Sequence, residues 1–144
     1  MSLQVEKISN ESTFEQAVQI REQVFVIEQK VNKANEYDQY EGVSTHFIAK
    51  WDGAPVGTAR WRFTEQGIKL ERFAVLKEFR GKGVGQGLVQ AVLKDIQSNS
   101  KAERKVKYLH AQLDAVPLYE KFGFEKIGDR FEECNIQHFK MQLA

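Results

Sequence analysis

The stretch IKLERFAVLKEFRGKGVGQGLVQAVLKDIQ, residues 68–97, constrains the fold more than any other. An apolar strand pattern, IKLERFAVL (68–76), runs into a turn where Gly81, Gly83, Gly85 and Gly87 fill four of seven positions. Apolar residues then return every four, at Val84, Leu88, Val92 and Ile96, and Val89 and Leu93 widen them into a helical face. KVKYLHAQ (105–112) reads as the next strand. Strand, helix, strand in this order predicts a parallel pair joined by a right-handed crossover. Glycine weakens helices, so a cluster at a helix entrance needs a reason. One reason is an anion: free backbone N–H groups and the helix dipole favour negative charge there, and glycine lets the backbone approach closely. Arg80 and Lys82 add positive charge at the same turn.

The other segments fit around that unit. LQVEKI (3–8) alternates like a short strand, and Asn10 or Ser12 can cap the helix read in FEQAVQIREQVFVIEQ (14–29). Residues 30–44, KVNKANEYDQYEGVS, are polar and acidic and read as irregular, and their acidity hints at a cationic amine. THFIAKW (45–51) and VGTARWRF (56–63) form a hairpin about Asp52-Gly53, and TEQG (64–67) turns the chain into the third strand of an antiparallel meander. AVPLYEKF (115–122) is a short helix with Pro117 in its first turn and Gly123 as its stop. FEKIGDRF (124–131) and IQHFKMQL (136–143) are the last strands. The order β α β β β α β α β β predicts an α/β fold with a mixed central sheet of about seven strands flanked by helices.

Composition narrows the setting. A chain of 144 residues can bury one core, and no linker or repeat divides it, so residues 1–144 read as a single domain. A formal net charge of +1 gives no electrostatic reason to expect nucleic acid. Cys134 is the lone cysteine, which rules out an intramolecular disulfide and favours a reducing compartment. The first twenty residues hold no long apolar core, and no stretch approaches the roughly 18 apolar residues of a membrane span. A cytoplasmic protein without membrane partners is expected.

Two familiar phosphate loops fail on register. A Walker A loop needs Ser or Thr after its lysine, and Lys82 is followed by Gly83. The dinucleotide pattern Gly-x-Gly-x-x-Gly would place its last glycine at Gln86 or Leu88. What remains, Arg80-x-x-Gly83-x-Gly85 after a strand and opening a helix, resembles the acetyl-CoA signature of the GNAT (Gcn5-related) N-acetyltransferases. LYEKFGF (118–124) resembles the family's C-terminal tyrosine segment, and the element order matches over essentially the whole chain. REQVFVIEQ (21–29) and IQHFKM (136–141) further resemble a subgroup of small bacterial members with poorly defined acceptors.

That resemblance implies an acyl-CoA N-acyltransferase fold and an acetyl-CoA-dependent N-acetyltransferase, with acetyl-CoA as donor, no metal, and a small-molecule or protein amine as acceptor; a homodimer is a possibility common in the family. It places the pantetheine arm along Phe73, Ala74 and Val75 and the pyrophosphate on Arg80, Gly81, Lys82, Gly83, Val84 and Gly85, with Asp114 where many members carry a cofactor-seating asparagine. Tyr119 matches the tyrosine beside the sulfur and would donate to the departing thiolate. For the base two residues stand open. Glu71 lies an even number of steps from Phe73 and Val75, on the same face of a regular strand. His110 carries an imidazole suited to proton transfer near neutrality. Arg21, Phe25, Glu28, His46 and His138 are the candidate acceptor-pocket residues, and the two histidines lack a third ligand of suitable spacing for a metal. The rival function is a non-catalytic acyl-CoA sensor or interaction module on the same fold.

Overall fold

The computed structural model describes residues 2–143, and its elements are built on one sheet. The strands are β1 (Leu3–Lys7), β2 (Thr45–Trp51), β3 (Ala54–Thr64), β4 (Gly67–Val75), β5 (Lys107–Gln112), β6 (Glu125–Glu133) and β7 (Ile136–Leu143). They lie in the order β1-β2-β3-β4-β5-β7-β6. Only β4 and β5 pair in parallel, as the strand–helix–strand reading requires. The helices are α1 (Glu11–Arg21), continued by a π-helix (Glu22–Glu28), then α2 (Lys33–Glu36), α3 (Val84–Gln97) and α4 (Val116–Glu120).

Local chemistry explains the joints. Asn10, not Ser12, caps α1, its side chain accepting the Thr13 N–H at 2.8 Å. Asp52 (φ 50°) and Gly53 (φ 88°) turn the β2–β3 hairpin in the left-handed conformation that matches strand twist, and Cys134 and Asn135 (φ 53° and 63°) do the same for β6–β7. The last hairpin inserts its second strand against β5. Met141 on β7 is fully buried and Phe139 and Leu143 pack on the core, whereas β6 is exposed along almost its whole length. The apolar strand therefore takes the inner position and the charged one protects the edge.

Helix α3 buries its predicted stripe: Val84, Leu88, Val89, Val92 and Ile96 are each at most 1% exposed. Burying a side chain of this size contributes roughly 1.5–3 kcal/mol. Gly85 and Gly87 let the helix sit close. A Cβ on Gly85 would stand 3.2 Å from Leu118, and one on Gly87 3.0 Å from Leu3.

Residues 30–44 depart from the irregular segment expected of them. They contain α2 and a single 3-10 turn at Glu41–Val43, and Glu36 and Glu41 are buried. Their acidity serves an internal ion-pair cluster. Arg21 grips Glu36 and both oxygens of Glu41. Arg60, with no exposed surface, reaches Asp38 at 2.7 Å, Glu41 at 2.9 Å and Glu71 at 2.7 Å. Burial pushes the Asp38 carboxyl up, but Arg60, the Tyr40 N–H and Arg72 outweigh it and hold it at about 2.

Candidate active site

The gap between β4 and β5 makes the site. The two strands pair only at Ile68–Lys107, Lys69–Tyr108 and Leu70–Leu109. Beyond Leu70 they diverge and open a cleft of about 480 Å³. Phe25 and Gln29 reach it from the π-helix and its end, Phe73 from β4, His110 from β5 and Tyr119 from α4. A π-helix is rare and costs backbone geometry, and such turns concentrate at functional sites.

A bulge shapes the β4 wall. Arg60 pairs with Glu71 and Thr58 with Ala74, so β4 carries one extra residue, and Arg72 there has φ 58°. The extra residue reverses the alternation. Ala74 packs with Ile20 and Val24 under α1, while Phe73 and Val75 turn to the main core. Glu71 remains on the Arg60 side, so the even-step argument linking it to Phe73 and Val75 fails. The Leu76 N–H donates to Val56 at 2.9 Å, so by antiparallel alternation Ala74 is bonded to β3 and Val75 turns its N–H and C=O toward the gap. Val75 thus has a main-chain N–H available to a ligand, its C=O being taken by Arg80, and Ala74 has neither.

Between β4 and α3, Gly81 (φ 76°) and Gly83 (φ 86°) take left-handed backbone in the turn. Gly87 is the first residue of α3 to bond back, to Gly83 at 3.0 Å, so the N–H groups of Val84, Gly85 and Gln86 have no partner inside the helix. Those donors fit an anionic diphosphate. Arg80 is committed elsewhere: Nε donates to the Val75 carbonyl at 2.9 Å and both terminal nitrogens grip Glu28 at 2.6 Å. It braces the turn and is largely neutralised. Lys82 lies over the Trp51 ring at 5.7 Å.

Tyr119 is 6% exposed, set edge-on to Phe73 at 5.6 Å and to Phe124 at 6.1 Å. Its hydroxyl lines the cleft without a hydrogen bond among the described residues, and burial pushes its ionisation well above the ordinary phenol range.

Glu71 lines the cleft but is ill suited as a base. Burial pushes its carboxyl up, yet Arg60, Lys69 and Arg62 outweigh that and hold it below the usual range. Arg60 Nε and Arg62 Nε bond it at 2.8 and 2.7 Å, with Lys69 at 3.3 Å. A carboxylate saturated by three cations anchors them and accepts a proton poorly.

The acceptor-pocket candidates separate. Phe25 and His138 line the cleft. Arg21 is 1% exposed inside the ion-pair cluster, and Glu28 is the exposed partner of Arg80. His46 lies on β2 outside the cleft, its Nε2 against the Glu41 carbonyl at 2.8 Å and its ring on Phe14, and burial lowers its basicity. Asp114 is exposed in the turn before α4 and does not line the cleft. These four are corrections: the resemblance put Arg21, Glu28 and His46 at the acceptor and Asp114 at the cofactor, and tertiary packing sets all four outside the cleft. Glu133 was missed. It ends β6, its Oε2 is 3.4 Å from His110 Nδ1, and His110, then opposing burial, sets its carboxyl at about 2. No cluster of three or more metal-ligating side chains occurs among the described residues, and no helix among them is long and apolar enough to cross a membrane.

A splayed parallel pair, a glycine turn at a helix N-terminus and a buried tyrosine thus come from the one strand–helix–strand unit and the helix after it. Residues 7–144 match the Acetyltransferase (GNAT) domain, and the chain belongs to that family. It is 37% identical to the uncharacterised N-acetyltransferase YjcF of Bacillus subtilis, over 92% of this chain and 93% of that one. In fold it is similar to Escherichia coli ElaA, with a TM-score of 0.87 at 24% identity, covering 99% of this chain and 100% of that one. It also resembles a GNAT family acetyltransferase from Elizabethkingia anophelis with acetyl-CoA bound, with a TM-score of 0.69 at 13% identity and 98% and 97% coverage.

Proposed function

We propose that this chain moves the acetyl group of acetyl-CoA to a primary amine of a small molecule or protein by direct attack. One observation carries the reading: Tyr119, whose hydroxyl has no partner among the described residues, lines the cleft that opens where β4 and β5 cease to pair. The acetyl-CoA bound to the Elizabethkingia protein of the same fold supports the choice of donor. The diphosphate would rest on the free amides at the start of α3, and the pantetheine arm would follow Val75.

The amine must first lose a proton. Its lone pair then attacks the acetyl carbon, and the Val75 N–H is the outward donor available to the carbonyl oxygen as charge gathers there. The C–N bond forms, the C–S bond breaks, and sulfur leaves with the electron pair. Tyr119 gives that sulfur a proton, and the surplus proton on the new amide nitrogen restores the phenol.

Acetyl-CoA at about 100-fold above its Kd stabilises the fold by roughly 2.7 kcal/mol. Thermal shifts with acetyl-CoA, NADH and ATP measure this, and equal shifts for all three would refute the donor assignment. Thiol release with polyamines, aminoglycosides, amino sugars, amino acids and peptides tests turnover. Binding without turnover across that panel would favour the sensor function instead.

Gly83→Val forces a branched side chain into φ 86°, although a Cβ there meets no atom within 4 Å. The effect is therefore backbone strain rather than collision, of the order of 1–3 kcal/mol. We expect acetyl-CoA binding by calorimetry to weaken about tenfold or more while circular dichroism stays native. Normal affinity in that variant would remove the glycine turn from the donor site.

A further inference from the structure

We propose that His110 and Glu133 form an imidazole–carboxylate pair that removes the amine proton, with His110 as the base and Glu133 as its positioning residue. The proposal rests on the acetyl-transfer reading above. His110 is the first residue of β5 beyond its last pairing with β4, so it stands where the cleft opens. Glu133, the last residue of β6, reaches the same place from the other side of β7.

Proton placement follows from the neighbours. His138 Nδ1 lies 2.7 Å from the Ile136 carbonyl, which can only accept, so that nitrogen carries the hydrogen. A neutral His138 then has no hydrogen on Nε2 to offer Glu133, 3.9 Å away. Glu133 is left to His110. His110 Nδ1 is buried, 3.4 Å from Glu133 Oε2, and has no other partner among the described residues. The separation is within hydrogen-bond reach, but the ring N–H is not aligned on the carboxylate, and a reorientation of either side chain would close the bond. A hydrogen on Nδ1 leaves the Nε2 lone pair free, and Nε2 is neither sealed nor bonded. Phe131 fixes the ring plane, edge-on to His110 at 5.1 Å and stacked on His138 at 5.7 Å.

The surroundings leave this pair as the available base. Lys69 faces Glu133 from β4, Tyr108 flanks His110 on β5, and Lys140 of β7 is held by Gln66 and the Tyr108 ring. Glu71, across the cleft, is saturated by three cations. In the step itself, the ammonium N–H bond breaks, its proton bonds to His110 Nε2, and the electron pair stays on the amine for attack. The imidazolium later returns the proton to solvent. The sum is ammonium plus acetyl-CoA giving amide, CoA thiol and one proton.

The test uses the full chain and the best acceptor from the amine panel. We expect His110→Gln to lower kcat/KM for the amine about 10²-fold and to abolish the acid limb of its pH profile. Glu133→Gln should lower it about tenfold. Glu133→Asp should recover part of the rate. Acetyl-CoA thermal shifts should match wild type in all three variants. A wild-type rate in Glu133→Gln, no recovery in Glu133→Asp, or a retained acid limb in His110→Gln overturns the pair while leaving acetyl transfer standing. Wild-type protein that turns over no amine overturns acetyl transfer, and the base assignment falls with it.

Discussion

Tyr119→Phe should lower kcat about 10²-fold, at the lower end for a positioned proton donor because water can partly replace it. The ring contacts with Phe73 and Phe124 survive the change, so packing and melting temperature should hold. Only the hydroxyl goes, and it has no partner within the described residues to be orphaned. The loss falls in the transition state, where the leaving sulfur acquires charge. An interaction made only there lowers kcat and kcat/KM together and leaves KM for acetyl-CoA little changed. Burial raises the ionisation of Tyr119, which keeps it protonated and able to donate at any working pH. Steady-state kinetics of the two proteins, with melting curves, decide the matter. An unchanged kcat where chemistry limits the rate would dismiss Tyr119 as the donor.

The parts of this molecule set by short-range rules were readable from the chain. The four-residue recurrence of Val84, Leu88, Val92 and Ile96 is the buried face of α3, and Asp52-Gly53 is the β2–β3 turn. LYEKFGF brought Tyr119 to the cleft, because a motif carries its own local geometry. What escaped depends on partners distant in sequence. A bulge at Arg72 has no glycine to announce it, and it put Glu71 on the face opposite to the one its spacing implied. Glu133 looks like any charged edge-strand residue until β7 inserts beside β5 and brings it to His110. Arg21, Glu36, Asp38, Glu41 and Arg60 read as polar surface one at a time, and become a cluster only once α1, α2 and β3 meet.

That cluster makes Arg60→Met the substitution with the largest expected cost to stability. Methionine nearly matches the buried stem in bulk, so the core loses little volume. Asp38, Glu41 and Glu71 each lose a cation from a site where Arg60 has no exposed surface. Breaking a buried pair from one side destabilises by about 3–5 kcal/mol, and the lower end applies because Arg72, Arg21 and Arg62 remain beside the three carboxylates. The pH dependence separates this cause from simple loss of packing. In the native protein Asp38 sits at about 2, below its unfolded value, so its contribution is complete above roughly pH 4 and is lost only as pH falls toward 2. In the variant the three carboxyls lose one of the cations that hold them low, so their native values rise toward the unfolded ones and the stability difference from wild type narrows as pH falls through the carboxylate range. Urea unfolding at pH 7 and at about pH 4 reads both quantities. The same loss holds the 33–43 segment less firmly against the cleft, so KM for the amine should rise more than KM for acetyl-CoA. A loss below about 1 kcal/mol at pH 7, the range of an exposed ion pair, would show that the cluster does not hold the acceptor wall.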